Sequence, residues 1–134
     1  MPRSKELTVI AHRGASSYAP ENTLAAFDKA LAMGVRHIEL DVHFTGDGHI
    51  VVIHDDTVDR TTNGSGLVAT HTLPQLRSLD AGSWFGPVFA GLRLPLLDEL
   101  LAEFSDRCTL NLELKTEQAD LALVERCLAA VNRH

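Results

Sequence analysis

Ionisable side chains stand among apolar residues in short stretches of this 134-residue sequence, where they could do acid–base or metal chemistry. His12 and Arg13 follow a short apolar run. Glu39 and Asp41 alternate with apolar residues in HIELDVHF, and Glu113 does so in TLNLELK. A buried parallel strand is usually apolar on both faces, so carboxylates along one face require water or a binding site. The pattern therefore predicts a polar site on one side of a sheet.

The three carboxylates Glu39, Asp41 and Glu113 are candidate metal ligands. On the inward faces of two neighbouring strands they would repel one another unless a cation lay between them. All-oxygen ligation suits a hard divalent ion, Mg²⁺ or Ca²⁺, better than zinc. The alternative is that they form ion pairs with Arg13 and Lys115. We favour the metal because single ion pairs do not require three carboxylates on otherwise apolar strands.

His12 and His54 are candidate acid–base groups, because imidazole takes up and releases a proton near neutral pH. Without the carboxylates, the simpler interpretation would be two unrelated histidines whose hydrogen bonds are satisfied separately in loops. Arg13 and Lys115 are candidate phosphate-binding groups, the first as a planar fork and the second as a point charge. Asp55 is expected to orient His54 or the turn after it. The set matches the charge compensation, base and acid that phosphodiester cleavage requires.

The elements that must position these residues form three successive βα units, which implies parallel strands with a site at their carboxyl ends. The turn Thr45–Gly48 is too short for a parallel crossover, so residues 49–54 should fold back as an antiparallel hairpin. This hairpin returns His54 towards Glu39 and Asp41. The predicted strands are 7–12, 37–44 and 109–115. The predicted helices are 23–33, 95–104 and 116 to about 131. Asn22 and Thr116 are the predicted N-caps of the first and last helix, and Gly34 is expected to end the first.

Composition narrows the class of protein. The net charge of −6 argues against a general nucleic-acid or anionic-membrane surface. The amino-terminal residues contain no apolar signal-peptide region, and no run reaches the length of a membrane span. We therefore expect a cytoplasmic protein. Cys108 and Cys127 lie outside any close-spaced metal or redox motif and are expected to be reduced packing residues.

The sequence contains an ordered set of motifs: HRG at His12, PENT at Pro20, ELDV at Glu39, the DG turn at Asp47, HD at His54, DRTT at Asp59 and ELK at Glu113. This set resembles the glycerophosphodiester phosphodiesterase family. The resemblance implies a metal-dependent (β/α)8 barrel of the TIM type that hydrolyses glycerophosphodiesters to sn-glycerol 3-phosphate and an alcohol. It assigns His12 and His54 to acid–base catalysis, Glu39, Asp41 and Glu113 to the metal, and Arg13 and Lys115 to phosphate.

The chain differs from a complete barrel of this type in length, since such a barrel needs about 250 residues. We expect a single domain over 1–134 that comprises the first three βα units of a partial barrel. Residues 56–93 are interpreted as an inserted loop subregion after the second strand, in which Thr72 caps a short helix and three aromatic residues, Trp84, Phe85 and Phe89, form a satellite core. The resemblance then implies a truncated barrel, or a homo-oligomer that covers the open sheet edges.

Three alternatives to hydrolysis by this chain remain. One is a related lyase that releases a cyclic phosphate. A second is a non-catalytic fragment that binds metal and phosphate. The third is a structural half-barrel that needs another chain to complete it. In each case the ligand is a small molecule or a protein chain, not nucleic acid.

Overall fold

The computed structural model describes residues 6–115 and 120–134. Within these residues four strands and four α-helices alternate in the order expected for three βα units with a hairpin after the second strand. The strands are β1 (Ile10–His12), β2 (His37–Phe44), β3 (Ile50–Val52) and β4 (Thr109–Leu114). The helices are α1 (Leu24–Ala32), α2 (Leu73–Arg77), α3 (Leu97–Phe104) and α4 (Leu121–Arg133).

Strand β2 is the centre of the sheet. It pairs in parallel with β1 at its start and with β4 over most of its length, and antiparallel with β3 at its end. Because His37–Glu39 pair with both β1 and β4, these two strands lie on opposite edges of β2, and β3 continues the β1 edge. The parallel βα order and the antiparallel hairpin predicted from the sequence are both confirmed.

The main core lies between the apolar face of β2 and the helices α1, α3 and α4. Ile38, Leu40 and Val42 on this face are fully buried. The aromatic rings of Phe27 in α1 and Phe104 in α3 meet edge to face, with centroids 5.6 Å apart. Since alternate residues of a strand point to opposite faces, this packing leaves Glu39, Asp41 and His43 on the other face.

The connection from β1 to α1 passes very close to the helix. Gly14 has φ +80°, and a Cβ atom there would lie 2.7 Å from the Phe27 ring and 2.8 Å from the backbone of Ala26. Only glycine combines this backbone conformation with so little space. Thr23, whose hydroxyl accepts a hydrogen bond from the Ala26 amide, is the N-cap of α1. The prediction of Asn22 as the cap was therefore wrong by one residue.

A second core forms under the segment 56–93. It is aliphatic, not aromatic as predicted, because Trp84, Phe85 and Phe89 form a separate aromatic cluster in which Phe89 packs against the main core and Trp84 remains 39% exposed. The predicted short helix begins after Thr72, which forms a capping box with Gln75. The buried members of this core are Val51, Ile53, Val58, Val68, Leu76, Ala81 and Leu94.

The first strand and the last helix also begin later than predicted. Strand β1 covers only Ile10–His12, and its side chains are largely exposed because no described strand pairs with its outer edge. Helix α4 begins at Leu121 and is capped by Asp120, whose carboxylate accepts from the Leu123 amide. Thr116, the predicted cap, lies outside the described residues. In the described part of the chain, no helix has the length and apolar character needed to cross a membrane.

Candidate functional site

The register of the sheet brings together polar residues that are far apart in the sequence. Glu39 is opposite His12 on β1, and Asp41 is opposite Glu113 on β4. Paired residues in a ladder project from the same face of the sheet, so these side chains share the face that the helices do not cover. This geometry follows from the two parallel ladders and cannot be read from any one motif.

The three predicted metal ligands converge. Glu39, Asp41 and Glu113 each offer a carboxylate oxygen, and these oxygens lie within 4.8 Å of one another. The Glu39 Oε1 and Asp41 Oδ1 atoms are buried and accept no hydrogen bond from any described residue. Buried polar atoms are rarely left unpaired, so these two oxygens are suited to a ligand. Such an all-oxygen set fits a hard divalent cation.

The surroundings of Glu39 raise its pKa. Burial of the side chain, followed by the negative charge of Asp41, raises the pKa of Glu39 from 4.5 to about 7. The hydrogen bond from the Arg13 amide, 3.2 Å long, opposes this rise only in part. At the exposed edge of the cluster, the hydrogen bond from Lys115 lowers the pKa of Glu113. A cation between the carboxylates would remove the cost of ionising Glu39.

The two predicted phosphate-binding cations border the cluster. Arg13 Nε lies 3.6 Å from Asp41, and Lys115 Nζ lies 3.7 Å from Asp41 and 2.7 Å from Glu113. The ion pairs that the sequence left as an alternative are thus formed. They do not account for the whole cluster, because among the described residues neither cation forms an ion pair with Glu39, whose Oε1 atom accepts no hydrogen bond.

The two histidines occupy different positions relative to the carboxylates. His12 Nε2 lies 3.8 Å from Glu39, and the His12 side chain is 66% exposed. His54 follows β3, where its Nδ1 contacts Asp55 at 2.7 Å and its carbonyl accepts a hydrogen bond from His43 Nε2 at 2.9 Å. Among the described residues, no hydrogen bond or ion pair joins the His54 side chain directly to the three carboxylates.

Three residues near the site were not predicted to belong to it. Asn22 has φ 56°, and its amide donates to Asp41 at 3.0 Å, so it orients a carboxylate instead of capping a helix. Glu21 accepts from both Arg13 and Arg60. Burial alone would raise the pKa of Glu21, but the two arginines lower it overall. Only the PENT and DRTT motifs, which contain these residues, offered a signal in the sequence.

Comparison with known proteins identifies the family. The model of the glycerophosphoryl diester phosphodiesterase family matches residues 12–133. The chain belongs to this family. Within it, the glycerophosphodiester phosphodiesterase of Caldanaerobacter subterraneus subsp. tengcongensis is 55% identical over 109 residues, which are 81% of this chain and 45% of that protein.

Solved structures of the family share the fold of this chain. The phosphodiesterase of Oleispira antarctica, determined in complex with the product sn-glycerol-3-phosphate, superposes with a TM-score of 0.91 at 41% identity and covers 96% of this chain. The glycerophosphodiester phosphodiesterase of Agrobacterium tumefaciens gives a TM-score of 0.83 at 43% identity over 95% of the chain. The alignments cover 53% and 55% of those two chains. The chain therefore spans about half the length of the relatives it matches and forms an open part of their (β/α)8 barrel.

Proposed function

We propose that this chain is the metal-dependent catalytic part of an enzyme that hydrolyses glycerophosphodiesters to sn-glycerol 3-phosphate and an alcohol. The carboxylate cluster carries the proposal, because two of its buried oxygens accept no hydrogen bond from the described residues and two cations lie beside it. Membership of the glycerophosphoryl diester phosphodiesterase family supports the same reaction. The sn-glycerol-3-phosphate bound to the Oleispira antarctica protein supports the class of product.

Glu39, Asp41 and Glu113 would hold the divalent cation, Mg²⁺ or Ca²⁺. When bound, the ion would offset negative charge on the phosphate oxygens. Asn22 fixes the rotamer of Asp41 through its amide, and the Arg13 amide fixes Glu39. These bonds keep the carboxylates facing one another and do not use the Glu39 Oε1 and Asp41 Oδ1 atoms as acceptors.

The remaining candidate residues divide between binding and proton transfer. Arg13 and Lys115 would bind the phosphate oxygens, since both cations border the cluster at the open face of the sheet. His12 and His54 would exchange protons with the nucleophile and the leaving alcohol. The contact of His54 Nδ1 with Asp55 leaves its Nε2 atom as the nitrogen that can exchange a proton with substrate.

The activity is tested by measuring release of glycerol 3-phosphate from glycerophosphocholine, with and without Mg²⁺ or Ca²⁺. We expect metal-dependent release that falls by roughly 100-fold or more in His12→Ala, the usual contribution of a general acid or base. His49→Ala is the matched control, because His49 lies in the hairpin turn and contacts Asp47 instead of the cluster. Release that is independent of metal, or equal in the two variants, would contradict the proposal. A cyclic phosphate as product would identify a lyase instead.

A second candidate function is that of a half-barrel that needs another chain, with a further copy of this chain as the partner. It is favoured by apolar surface at both open edges of the sheet. On the β1 side, Leu7, Val9 and Ile10 are 91%, 64% and 53% exposed. On the other side, a groove of about 290 Å³ runs between β4 and α4, where Leu128 is 58% exposed. Contiguous exposed apolar surface commonly marks an interaction site.

Measurement of molecular mass against concentration distinguishes this candidate. An assembling half-barrel should show a mass that rises with concentration in the wild type and stays at the monomer value in Leu128→Glu. Ala102→Glu is the control, because it adds the same charge at an exposed position of α3. A constant monomer mass in the wild type would exclude self-assembly through these edges.

A further inference from the structure

Arg60 makes an unusually complete set of hydrogen bonds for a residue outside the carboxylate cluster. Its Nε and Nη2 atoms donate to the two oxygens of Asp55, each at 2.9 Å. Its Nη1 and Nη2 atoms donate to the two oxygens of Glu21 at 3.0 and 2.7 Å. One guanidinium therefore forms bidentate hydrogen bonds with each of two carboxylates, which constrains both carboxylates in orientation as well as in distance.

The two carboxylates that Arg60 holds contact two different residues of the proposed site. Asp55 accepts from His54 Nδ1 at 2.7 Å, and Glu21 accepts from Arg13 at 3.2 Å. Arg13 in turn lies 3.6 Å from Asp41. A continuous polar chain thus runs from the histidine after β3, through Arg60, to the arginine after β1.

Burial and hydrogen bonds hold the backbone around Arg60 in place, which fixes the position from which its side chain extends. Val58 is fully buried, and Thr61 and Thr62 are 5% and 6% exposed. The Thr62 amide and hydroxyl both donate to the Val58 carbonyl, at 3.1 and 2.6 Å. The Glu21 side chain is only 11% exposed, so its interaction with Arg60 is less screened by solvent than an ordinary surface pair. Arg60 also holds the pKa of Asp55 well below its usual range, which keeps Asp55 an acceptor for His54.

We propose that Arg60 is a positioning residue that fixes the ring of His54 through Asp55 and the guanidinium of Arg13 through Glu21. The proposal deepens the proposed function and rests on it for the roles of His54 and Arg13. Among the described residues Arg60 forms no hydrogen bond or ion pair with the carboxylate cluster, and we propose no contact between Arg60 and the substrate. Its effect on turnover passes through the orientation of the two residues at the ends of the chain.

The geometry requires arginine and not merely a positive charge. Four of the five guanidinium N–H groups are used, and they lie in one plane that matches both carboxylates at once. A lysine ammonium would keep the charge but could not orient two carboxylates simultaneously. Arg60→Lys therefore separates the orienting role of Arg60 from its charge.

The matched control is Arg77→Lys. Arg77 also binds one carboxylate in two-pronged fashion, donating to Glu99 at 2.8 and 2.9 Å, and it is exposed to a similar degree at 34% against 44%. Arg77 is the last residue of α2, its Nη1 atom also donates to the Leu94 carbonyl at 2.7 Å, and none of its hydrogen bonds to described residues reaches the carboxylate cluster. Each substitution thus removes bidentate contact between a guanidinium and a carboxylate, but only Arg60→Lys removes it next to His54 and Arg13.

The test combines two readouts on the 134-residue chain. The first is the ¹⁵N NMR signature of the His54 ring, assigned by comparison with His54→Gln. In the wild type we expect the proton on Nδ1 and in slow exchange, and in Arg60→Lys we expect loss of that slowly exchanging proton. The second is hydrolysis of glycerophosphocholine, where kcat should fall roughly 10- to 100-fold in Arg60→Lys, as is usual for residues that orient a functional group. Arg77→Lys should leave both readouts at the wild-type level.

The outcomes separate this inference from the proposed function. Loss of the Nδ1 proton in Arg60→Lys alone supports the positioning role, even if the wild-type chain hydrolyses nothing and the proposed activity fails. Equal kcat and an intact Nδ1 proton in both variants would overturn it. A similar decrease in both variants would also overturn it, since a general loss of stability would then explain the effect.

Discussion

Replacement of Glu39 by glutamine in the metal-free protein should make it more stable at pH 8 and change the pH dependence of unfolding. Burial and the Asp41 charge raise the pKa of Glu39 from 4.5 to about 7. The folded protein thus binds the Glu39 proton more tightly than the unfolded chain does. The stabilisation that this bound proton contributes is fully present below pH 4.5 and is lost as the pH rises through about 7.

The magnitude follows from the size of the pKa change. One pKa unit corresponds to about 1.4 kcal/mol, so ionising Glu39 costs at most about 3 kcal/mol of unfolding free energy between pH 4.5 and 8. Glutamine has nearly the same shape and cannot ionise, so Glu39→Gln avoids this cost. Relative to wild type, the variant should gain up to about 3 kcal/mol between these two pH values.

Urea unfolding in EDTA at pH 4.5 and pH 8 measures this difference. The comparison between variant and wild type cancels the titration of groups that do not interact with Glu39. Glu103→Gln is the control, because it removes the same charge at an exposed position of α3, where an ion pair with Arg107 is worth less than about 1 kcal/mol. A Glu39→Gln difference that is equal at the two pH values, or that falls as the pH rises, would refute the raised pKa and the uncompensated cluster behind it.

Three further results are expected. Mg²⁺ or Ca²⁺ at about 100 times its dissociation constant should stabilise the wild type at pH 8 by about 2.7 kcal/mol in thermal unfolding. Asp41→Asn should remove most of that stabilisation. An equal gain in Asp41→Asn would mean that the ion binds elsewhere. Gly14→Ala should lower the free energy of unfolding by more than about 2 kcal/mol. Gly34 has a similar φ but open space around it, so Gly34→Ala should lower the free energy of unfolding by only about 1 kcal/mol. Equal losses would mean that the clash at Gly14 relaxes. Phe104→Ala should cost about 3–5 kcal/mol in urea unfolding, because Phe104 is fully buried against Phe27, and a loss below about 1 kcal/mol would contradict that packing.

Alternation along β2 made much of the site predictable. A period of two residues separates Ile38, Leu40 and Val42 from Glu39 and Asp41, and a sheet enforces that separation wherever it forms. The hairpin was predictable for a related reason, since four turn residues cannot span a parallel crossover. The convergence of the three carboxylates followed from these local rules together with the βα order.

The contacts between distant loops were not predictable in this way. Asn22 was interpreted as a helix cap because its side chain suits that position, and only its positive φ and its bond to Asp41 reveal the other role. Arg60 and Glu21 are separated by 39 residues in sequence, and neither lies in a periodic element. Their pairing depends on how the 56–93 segment folds back, which local patterns do not specify.

The sequence by itself thus determined the order of the elements, the polar face of β2 and the chemical types available to the site. Spacing along a single strand or turn is a local property, and local sterics decide it. Only the tertiary structure decided which carboxylate oxygens accept no hydrogen bond from the described residues, which carboxylate has a raised pKa, and how Arg60 links His54 to Arg13. Burial and charge separation depend on every neighbour in three dimensions, so they come into existence only when the strands and loops have assembled.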